Sequence, residues 1–98
     1  MTSEILSGNT PQLSPIELAR HVLDELSSRG ATDSVLLDVR GLTTIADYFV
    51  VSTVSNTRQM RALRDLLDRE LPVVAGRHPR IEGEPTDLWV LADFGDVV

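Results

Sequence analysis

The first third of the chain carries a helical pattern of apolar residues. They recur at intervals of three and four and share one helix face: Ile16, Ala19, Val22, Leu23 and Leu26, with Leu18 at its edge. Ser14 can cap the first turn, Pro15 suits the first helical position, and Glu17 can return a bond to the cap. Gly30 supplies a left-handed stop. The pattern predicts a helix that begins at Pro15 and ends before Gly30.

The next segment changes to the alternation that is typical of β-strands. In residues 34–39, Val35, Leu37 and Val39 share one face, while residues 48–53 are apolar on both faces. A strand that is apolar on both faces is either central in its sheet or covered on both sides. Because a short connection joins these strands, we expect them to form an antiparallel hairpin.

A second helical pattern begins at Asn56, for which Gln59 is the expected capping partner. Its apolar stripe is Met60, Leu63, Leu66, Leu67 and Leu71. Pro72 is expected to end this helix, since proline lacks the backbone N–H that a helix interior requires. Short strands are expected at residues 80–82 and 88–92. Together these elements predict an α+β fold in which helices flank a mixed sheet, in the order α-β-β-α-β-β(-β).

Val97 and Val98 have the character of a strand that the chain does not continue. A domain rarely finishes there, because the edge of its sheet would stay open. We therefore expect the chain to lack the end of its domain. The open apolar edge beside Val90 and Ala92 would then pair with a second copy, as a homodimer, or lower the stability.

The length of 98 residues is that of one domain, which we assign to residues 14–98 after a flexible tail at residues 1–13. The absence of cysteine excludes disulfides, thiolate metal sites and a cysteine nucleophile. The sequence contains neither an apolar run long enough to span a membrane nor a signal-peptide pattern, so we expect a cytoplasmic protein.

Charge is distributed unevenly along the chain. All 9 basic residues are arginine, against 15 acidic residues, and the net charge of −6 argues against a general grip on nucleic-acid phosphates. The segment 81–98 carries acids and no base: Glu82, Glu84, Asp87, Asp93 and Asp96. Such a block suits a basic protein partner, although it could equally be a solvated rim.

Residues with catalytic potential are present, but not in catalytic arrangements. Asp93-Phe94-Gly95 matches a kinase tripeptide without any of the accompanying kinase motifs. Asp93 and Asp96 have no third ligand for a cation. His21 and His78 have no nucleophile at a recognisable spacing. We therefore expect no catalytic residue, cofactor or metal ion, and the protein is expected not to be an enzyme.

Trp89 is the largest aromatic side chain in the acidic block. Strand alternation places it on the same face as Leu91. A tryptophan in a strand belongs either to the core or to an interface, and its acidic neighbours favour an interface here.

The order of several motifs resembles the Iojap family, the ribosomal silencing factors. The matching segments are Leu37-Asp38-Val39, Gly41-Leu42-Thr43, Ala46-Asp47-Tyr48-Phe49-Val50-Val51, Ser55, Arg58-Gln59, Glu82-Gly83, Trp89-Val90-Leu91 and Asp93-Phe94-Gly95-Asp96-Val97-Val98. The resemblance covers nearly all of residues 14–98. The family continues through its final strand into a short helix with Tyr, Leu and Trp, which this sequence lacks.

The resemblance implies a fold related to nucleotidyltransferases without their catalytic site. It also implies a function, namely binding to the large ribosomal subunit through its fourteenth ribosomal protein. Bound there, such a factor obstructs joining of the small subunit and represses translation under starvation. We expect the partner-binding residues to be Trp89, Asp93, Asp96, Glu82 and Tyr48.

Two other functions remain open at this point. A nucleotidyltransferase would need a Gly-Ser motif and paired strand carboxylates, whereas this chain has Thr53-Val54-Ser55, and Asp38 has no second Asp two residues away. An RNA-binding or subunit-assembly module would use the arginines of the second helix: Arg58, Arg61, Arg64 and Arg69. Interleaved acids make that surface look more like a solvated helix face.

Overall fold

The computed structural model describes residues 13–98, and within them the first helix, α1, spans Pro15–Ser28. Its predicted cap is confirmed, because the Ser14 hydroxyl accepts a bond from the Glu17 amide and the Glu17 carboxylate accepts one from the Ser14 amide. Gly30 follows the helix with a φ of 97°, as expected of a left-handed stop.

The start of the chain differs from the expectations at two points. Leu18, which the sequence placed at the edge of the apolar face, is only 1% exposed and belongs to the centre of the core. The predicted tail lies mostly outside the described residues, whereas its last member, Leu13, packs against the core instead.

The predicted hairpin is confirmed. Strands β1 (Thr32–Asp38) and β2 (Tyr48–Thr53) run antiparallel, with Val35 opposite Val51. One face of the hairpin, with Leu36 and Val50, packs towards the core. The other face is open, since Val51 is 51% exposed, so β2 is not covered on both sides. It is central instead, because β1 pairs with one of its edges and residues 96–98 pair with part of the other.

The second helical run is longer than the sequence predicted. Helix α2 spans Thr57–Asp65, a π-helical segment covers Leu66–Glu70, and α3 spans Leu71–Ala75 and ends at Gly76. Pro72 therefore does not end the run. It lies in the first turn of α3, where its missing N–H costs least, directly after the widened turn in which the Leu71 amide donates to the Leu66 carbonyl.

Asn56 caps α2 as predicted, since its side chain accepts a bond of 2.8 Å from the Gln59 amide. In the expected capping box, the Gln59 side chain would accept a bond from the Asn56 amide. It accepts instead from the amide and hydroxyl of Ser55, one residue earlier. The cap still satisfies one of the free amides at the start of the helix.

The hydrophobic core lies where α1, the second helical run and the chain end meet. Its most deeply buried side chains are Leu18, Leu66, Leu71 and Val97. The core therefore joins elements that are distant in sequence.

A second antiparallel pair consists of β3 (Arg80–Glu82) and β4 (Leu91–Asp93). The strand predicted at residues 88–92 thus begins three residues late. A 3₁₀ turn at Pro85–Asp87 precedes it, and Leu88 has a φ of 70°, which is not compatible with a strand.

The fold class is α+β, as predicted, with two small antiparallel sheets. Within residues 13–98, parallel pairing occurs at a bridge between Tyr48 and Val97. A hydrogen bond from the Val50 amide to the Val98 carbonyl extends this pairing. No helix within these residues combines the length and apolarity needed to cross a membrane.

Candidate partner-binding surface

Trp89 lies half exposed beside the second sheet. Its side chain is 54% exposed, so it is neither a core residue nor a free surface residue. The indole ring lies against Gly83, where an added Cβ would come within 3.0 Å of two ring carbons and 2.5 Å of the Trp89 carbonyl oxygen. Glycine at residue 83 is therefore required for the observed position of the tryptophan.

The 3₁₀ turn at Pro85–Asp87 precedes Trp89 and is followed by an exposed leucine. The Glu84 amide donates to the Asp87 carboxylate at 2.9 Å, and the Asp87 amide donates to the Glu84 carbonyl at 2.8 Å. Leu88 follows in a left-handed conformation with 86% of its surface exposed. Leu88, Trp89 and the partly exposed Leu91 form an apolar patch, which we call the Trp89 surface.

The acidic block is less negative than its sequence indicates, because an arginine lies near three of its members. Carboxylate–guanidinium distances are 4.0 Å for Glu82 with Arg80, 3.9 Å for Glu84 with Arg64, and 3.5 Å for Asp96 with Arg77. The pairing of Arg80 with Glu82 could have been expected from their spacing on one strand. The other two pairs depend on tertiary structure.

The two remaining acids serve the backbone. The Asp93 carboxylate accepts a bond of 2.7 Å from the Gly95 amide and so closes the turn before Val97. Asp87 closes the 3₁₀ turn described above. These local bonds are the ordinary role of aspartate in turns, and they leave less of the acidic block free for a partner than the sequence suggested.

Asp96 and Tyr48 lie together where the end of the chain meets the start of β2. The Asp96 carbonyl accepts bonds from the amides of Asp47 and Tyr48, and Arg77 donates a bond of 2.6 Å to the Phe94 carbonyl beside it. The structure therefore divides the predicted contact residues into two groups. Glu82, Trp89 and Asp93 lie along β3, β4 and the preceding turn, while Asp96 and Tyr48 tie the chain end to the hairpin.

Tyr48 is not available as a surface contact. Its side chain is only 5% exposed, and the Arg40 guanidinium lies 5.3 Å from its ring centroid. Arg40 also donates to the Asp38 carboxylate at 2.7 and 2.9 Å, and this bonding lowers the pKa of Asp38 below its ordinary value. Arg40 therefore contacts both Asp38 at the end of β1 and the ring of Tyr48 at the start of β2.

The side chains with catalytic or metal-binding potential include aspartates, glutamates and histidines. Asp38, the strand carboxylate that a nucleotidyltransferase reading would need, is bound to arginine. Within residues 13–98, no group of three or more histidine, aspartate or glutamate side chains is arranged to hold a metal ion.

Comparison with known proteins identifies the family. Residues 12–98 match the family model described as ribosomal silencing factor during starvation, RsfS. This chain belongs to the RsfS family. The resemblance found in its motifs is thereby confirmed.

Relatives and solved structures agree with this assignment. The chain is 31% identical to the ribosomal silencing factor RsfS of Zymomonas mobilis over 92% of its own length and 68% of that protein. It is 29% identical to RsfS of Bacillus subtilis, over 89% of this chain and 71% of the relative. A crystal structure of a Chromobacterium violaceum protein superposes with a TM-score of 0.78 at 27% identity, covering 87% of this chain and 71% of the other.

Proposed function

We propose that this chain is a ribosomal silencing factor that binds the large ribosomal subunit through its fourteenth ribosomal protein. Membership of the RsfS family supports the silencing role. The half-exposed Trp89 is the observation that supports a binding surface, because aromatic anchors supply much of the energy of protein interfaces. Bound at the joining surface, the domain blocks the small subunit by its volume and represses translation under starvation.

The proposed contact consists of the Trp89 surface with Glu82 and Asp93 at its side. The apolar side chains supply affinity, while the acids complement a basic ribosomal protein and speed its encounter. Since Glu82 lies beside Arg80 and Asp93 bonds to its own turn, the electrostatic contribution is smaller than five free carboxylates would give. No catalytic step is required of such a factor, which acts in the cytoplasm, where ribosomes are found.

Co-sedimentation with purified subunits tests this function. The chain should pellet with large subunits and not with small ones, and it should lower the yield of joined ribosomes when it is added before mixing. Pelleting with both subunits, or with ribosomal RNA alone, would favour the RNA-binding alternative. Binding to the large subunit without any effect on joining would contradict the silencing mechanism.

The protein contact can be tested separately. The isolated fourteenth ribosomal protein should bind the chain, and large subunits depleted of that protein should not. Raising the salt concentration should slow association moderately, because exposed charges are screened over about 8 Å at physiological ionic strength. Undiminished binding to depleted subunits would show that the chain docks elsewhere.

The homodimer expected from the sequence is part of this proposal as a second state of the chain. It would use the apolar edge beside Val90 and Ala92, next to the Trp89 surface. Sedimentation equilibrium across a range of concentrations tests it, and a monomer at every concentration would exclude it. Competition between large subunits and self-association would indicate that both use the same side of the molecule.

A further inference from the structure

The 3₁₀ turn at Pro85–Asp87 lies beside the outer surface of α2. A polar cleft of about 360 Å³ lies between them, and its walls include Arg64 of the helix and Glu84 at the start of the turn. In the described part of the chain, one ion pair crosses this cleft, from the Arg64 Nη2 to the Glu84 Oε2 at 3.9 Å. A charged contact therefore links the helix to the turn that precedes Trp89.

The Arg64 guanidinium is incompletely paired. Its Nε is buried without a hydrogen-bond partner in the described residues, and the 3.9 Å contact with Glu84 is longer than a hydrogen bond. Nε and Nη2 lie on the same side of a guanidinium, so one carboxylate can accept from both. A movement of the Glu84 carboxylate by about 1 Å would bring it within bonding distance. Because an unpaired buried N–H is costly, this closure is favourable.

Glu84 is connected to the Trp89 surface on both of its sides. Its amide and its carbonyl are bonded to the carboxylate and the amide of Asp87, so Glu84 and the turn move together. Pro85 restricts the backbone directly after it. The residue before it, Gly83, packs against the Trp89 ring. A shift of Glu84 relative to α2 therefore shifts the segment that presents the tryptophan.

We propose that Arg64 is a positioning residue for the Trp89 surface, which it orients by drawing Glu84 onto α2. In the free protein solvent screens the pair, since the Glu84 side chain is 67% exposed and that of Arg64 is 30% exposed. A partner that covers the turn removes this water and strengthens the pair, which then closes to the two-bond arrangement. The inference rests on the proposed function, because it concerns the same binding surface.

Removal of either charge tests the proposal by the sign of its effect on binding to large subunits. Arg64→Gln makes the chain more negative, so charge attraction alone would strengthen binding to a basic ribosomal protein. Loss of positioning should instead weaken it about fivefold, in Arg64→Gln and Glu84→Gln alike. The double variant should bind no more weakly than either single one, because both remove the same contact. Stronger binding by Arg64→Gln, or additive losses, would overturn the proposal.

Two further variants of α2 sharpen this test. Arg58→Gln is the matched control, since Arg58 is exposed on the same helix and does not line the cleft, and it should bind no more weakly than the parent chain. Arg64→Lys keeps the charge but lacks the planar fork that a carboxylate bonds side-on, so it should bind as weakly as Arg64→Gln. Full affinity of Arg64→Lys, or an equal loss in Arg58→Gln, would overturn the proposal.

Fluorescence of the free protein separates positioning from a role in stability alone. Trp89 is the only tryptophan in the chain. Acrylamide should quench it more readily in Arg64→Gln and Glu84→Gln than in the parent chain or Arg58→Gln, because a released turn frees the ring. A melting curve verifies that each variant is folded, and Glu84→Gln, at an exposed residue, carries the test if Arg64→Gln unfolds. Equal quenching in all folded variants would overturn the proposal.

Failure of this inference differs from failure of the proposed function. If the parent chain does not bind large subunits, the proposed function fails, while quenching in the free protein still decides whether Arg64 orients Trp89. If the parent chain binds and both glutamine variants bind equally well, Arg64 is not a positioning residue and the proposed function stands.

Discussion

Truncation of Trp89 to alanine is the sharpest test of the proposed ribosome contact. In the free protein a little under half of the side chain is buried, since 54% is exposed. A fully enclosed aromatic side chain buries about 150–250 Å², so Trp89 buries about 100 Å² within its own domain. The remainder is available to a partner.

The stability cost follows from this area. About 100 Å² at about 25 cal/mol per Å² corresponds to about 2.5 kcal/mol, an upper value because unfolded chains already bury some surface and alanine retains part of the contact. We expect Trp89→Ala to lower the free energy of unfolding by about 1–2 kcal/mol and the melting temperature by about 5–15 °C. A domain of ordinary stability stays folded after such a loss.

We expect Trp89→Ala to weaken binding to the large subunit strongly. An anchor that a partner encloses typically loses about 2 kcal/mol or more on truncation, which corresponds to about 30-fold in affinity for the large subunit. Circular dichroism and thermal melting report folding, while co-sedimentation reports binding. Val73→Ala is a suitable control, because it removes an aliphatic side chain that is 78% exposed on α3 and does not belong to the Trp89 surface.

The two measurements together can refute the reasoning. If Trp89→Ala unfolds at room temperature, the tryptophan contributes far more to the core than its exposure indicates. If the variant folds and still binds large subunits with the affinity of the parent chain, the Trp89 surface is not the contact. If Val73→Ala loses binding to the same extent, the effect is not specific to the surface.

Three further predictions concern stability and geometry. Gly83→Ala should displace the Trp89 ring, seen as a shift of its fluorescence, because the new Cβ would lie 3.0 Å from ring carbons; an unchanged spectrum would contradict this packing. Leu66→Ala, at a residue that is 1% exposed, should cost about 2–5 kcal/mol in chemical denaturation, and a loss below about 1 kcal/mol would place Leu66 outside the core. Asp38→Asn should lower the melting temperature at neutral pH, because Arg40 depresses the pKa of Asp38 in the folded state. That difference should vanish as the pH falls through the depressed value, and a gap that persists in acid would refute the assignment.

The elements with local signals were predictable. The cap formed by Ser14 and Glu17, the start of α2 at Asn56 and the hairpin with its short connection depend on residues close together in sequence, and all three are confirmed. The motifs also identified the family, because they recur at characteristic spacing along one short chain.

The errors arose where distant contacts outweigh a local signal. Pro72 normally ends a helix, but burial of Leu71 and Ala75 in the core stabilises a further turn after the π-helical segment. Leu88 belongs to an alternating apolar run, yet the preceding 3₁₀ turn places it in a left-handed conformation outside the strand. For most residues local propensity is worth a few tenths of a kcal/mol, which is less than the burial of one leucine. Pro72 avoids the larger cost of an interior proline because it lies in the first turn of α3.

The sequence by itself determined the α+β class, the caps and the presence of a tryptophan within an acidic block. Tertiary structure alone decided what that block and its neighbours can contact. Arg64 and Arg77 come from earlier segments to face Glu84 and Asp96, and Tyr48, a predicted contact, is buried. The physical reason is that charge pairing and burial depend on distances in space, which residues far apart in sequence acquire only when the core assembles.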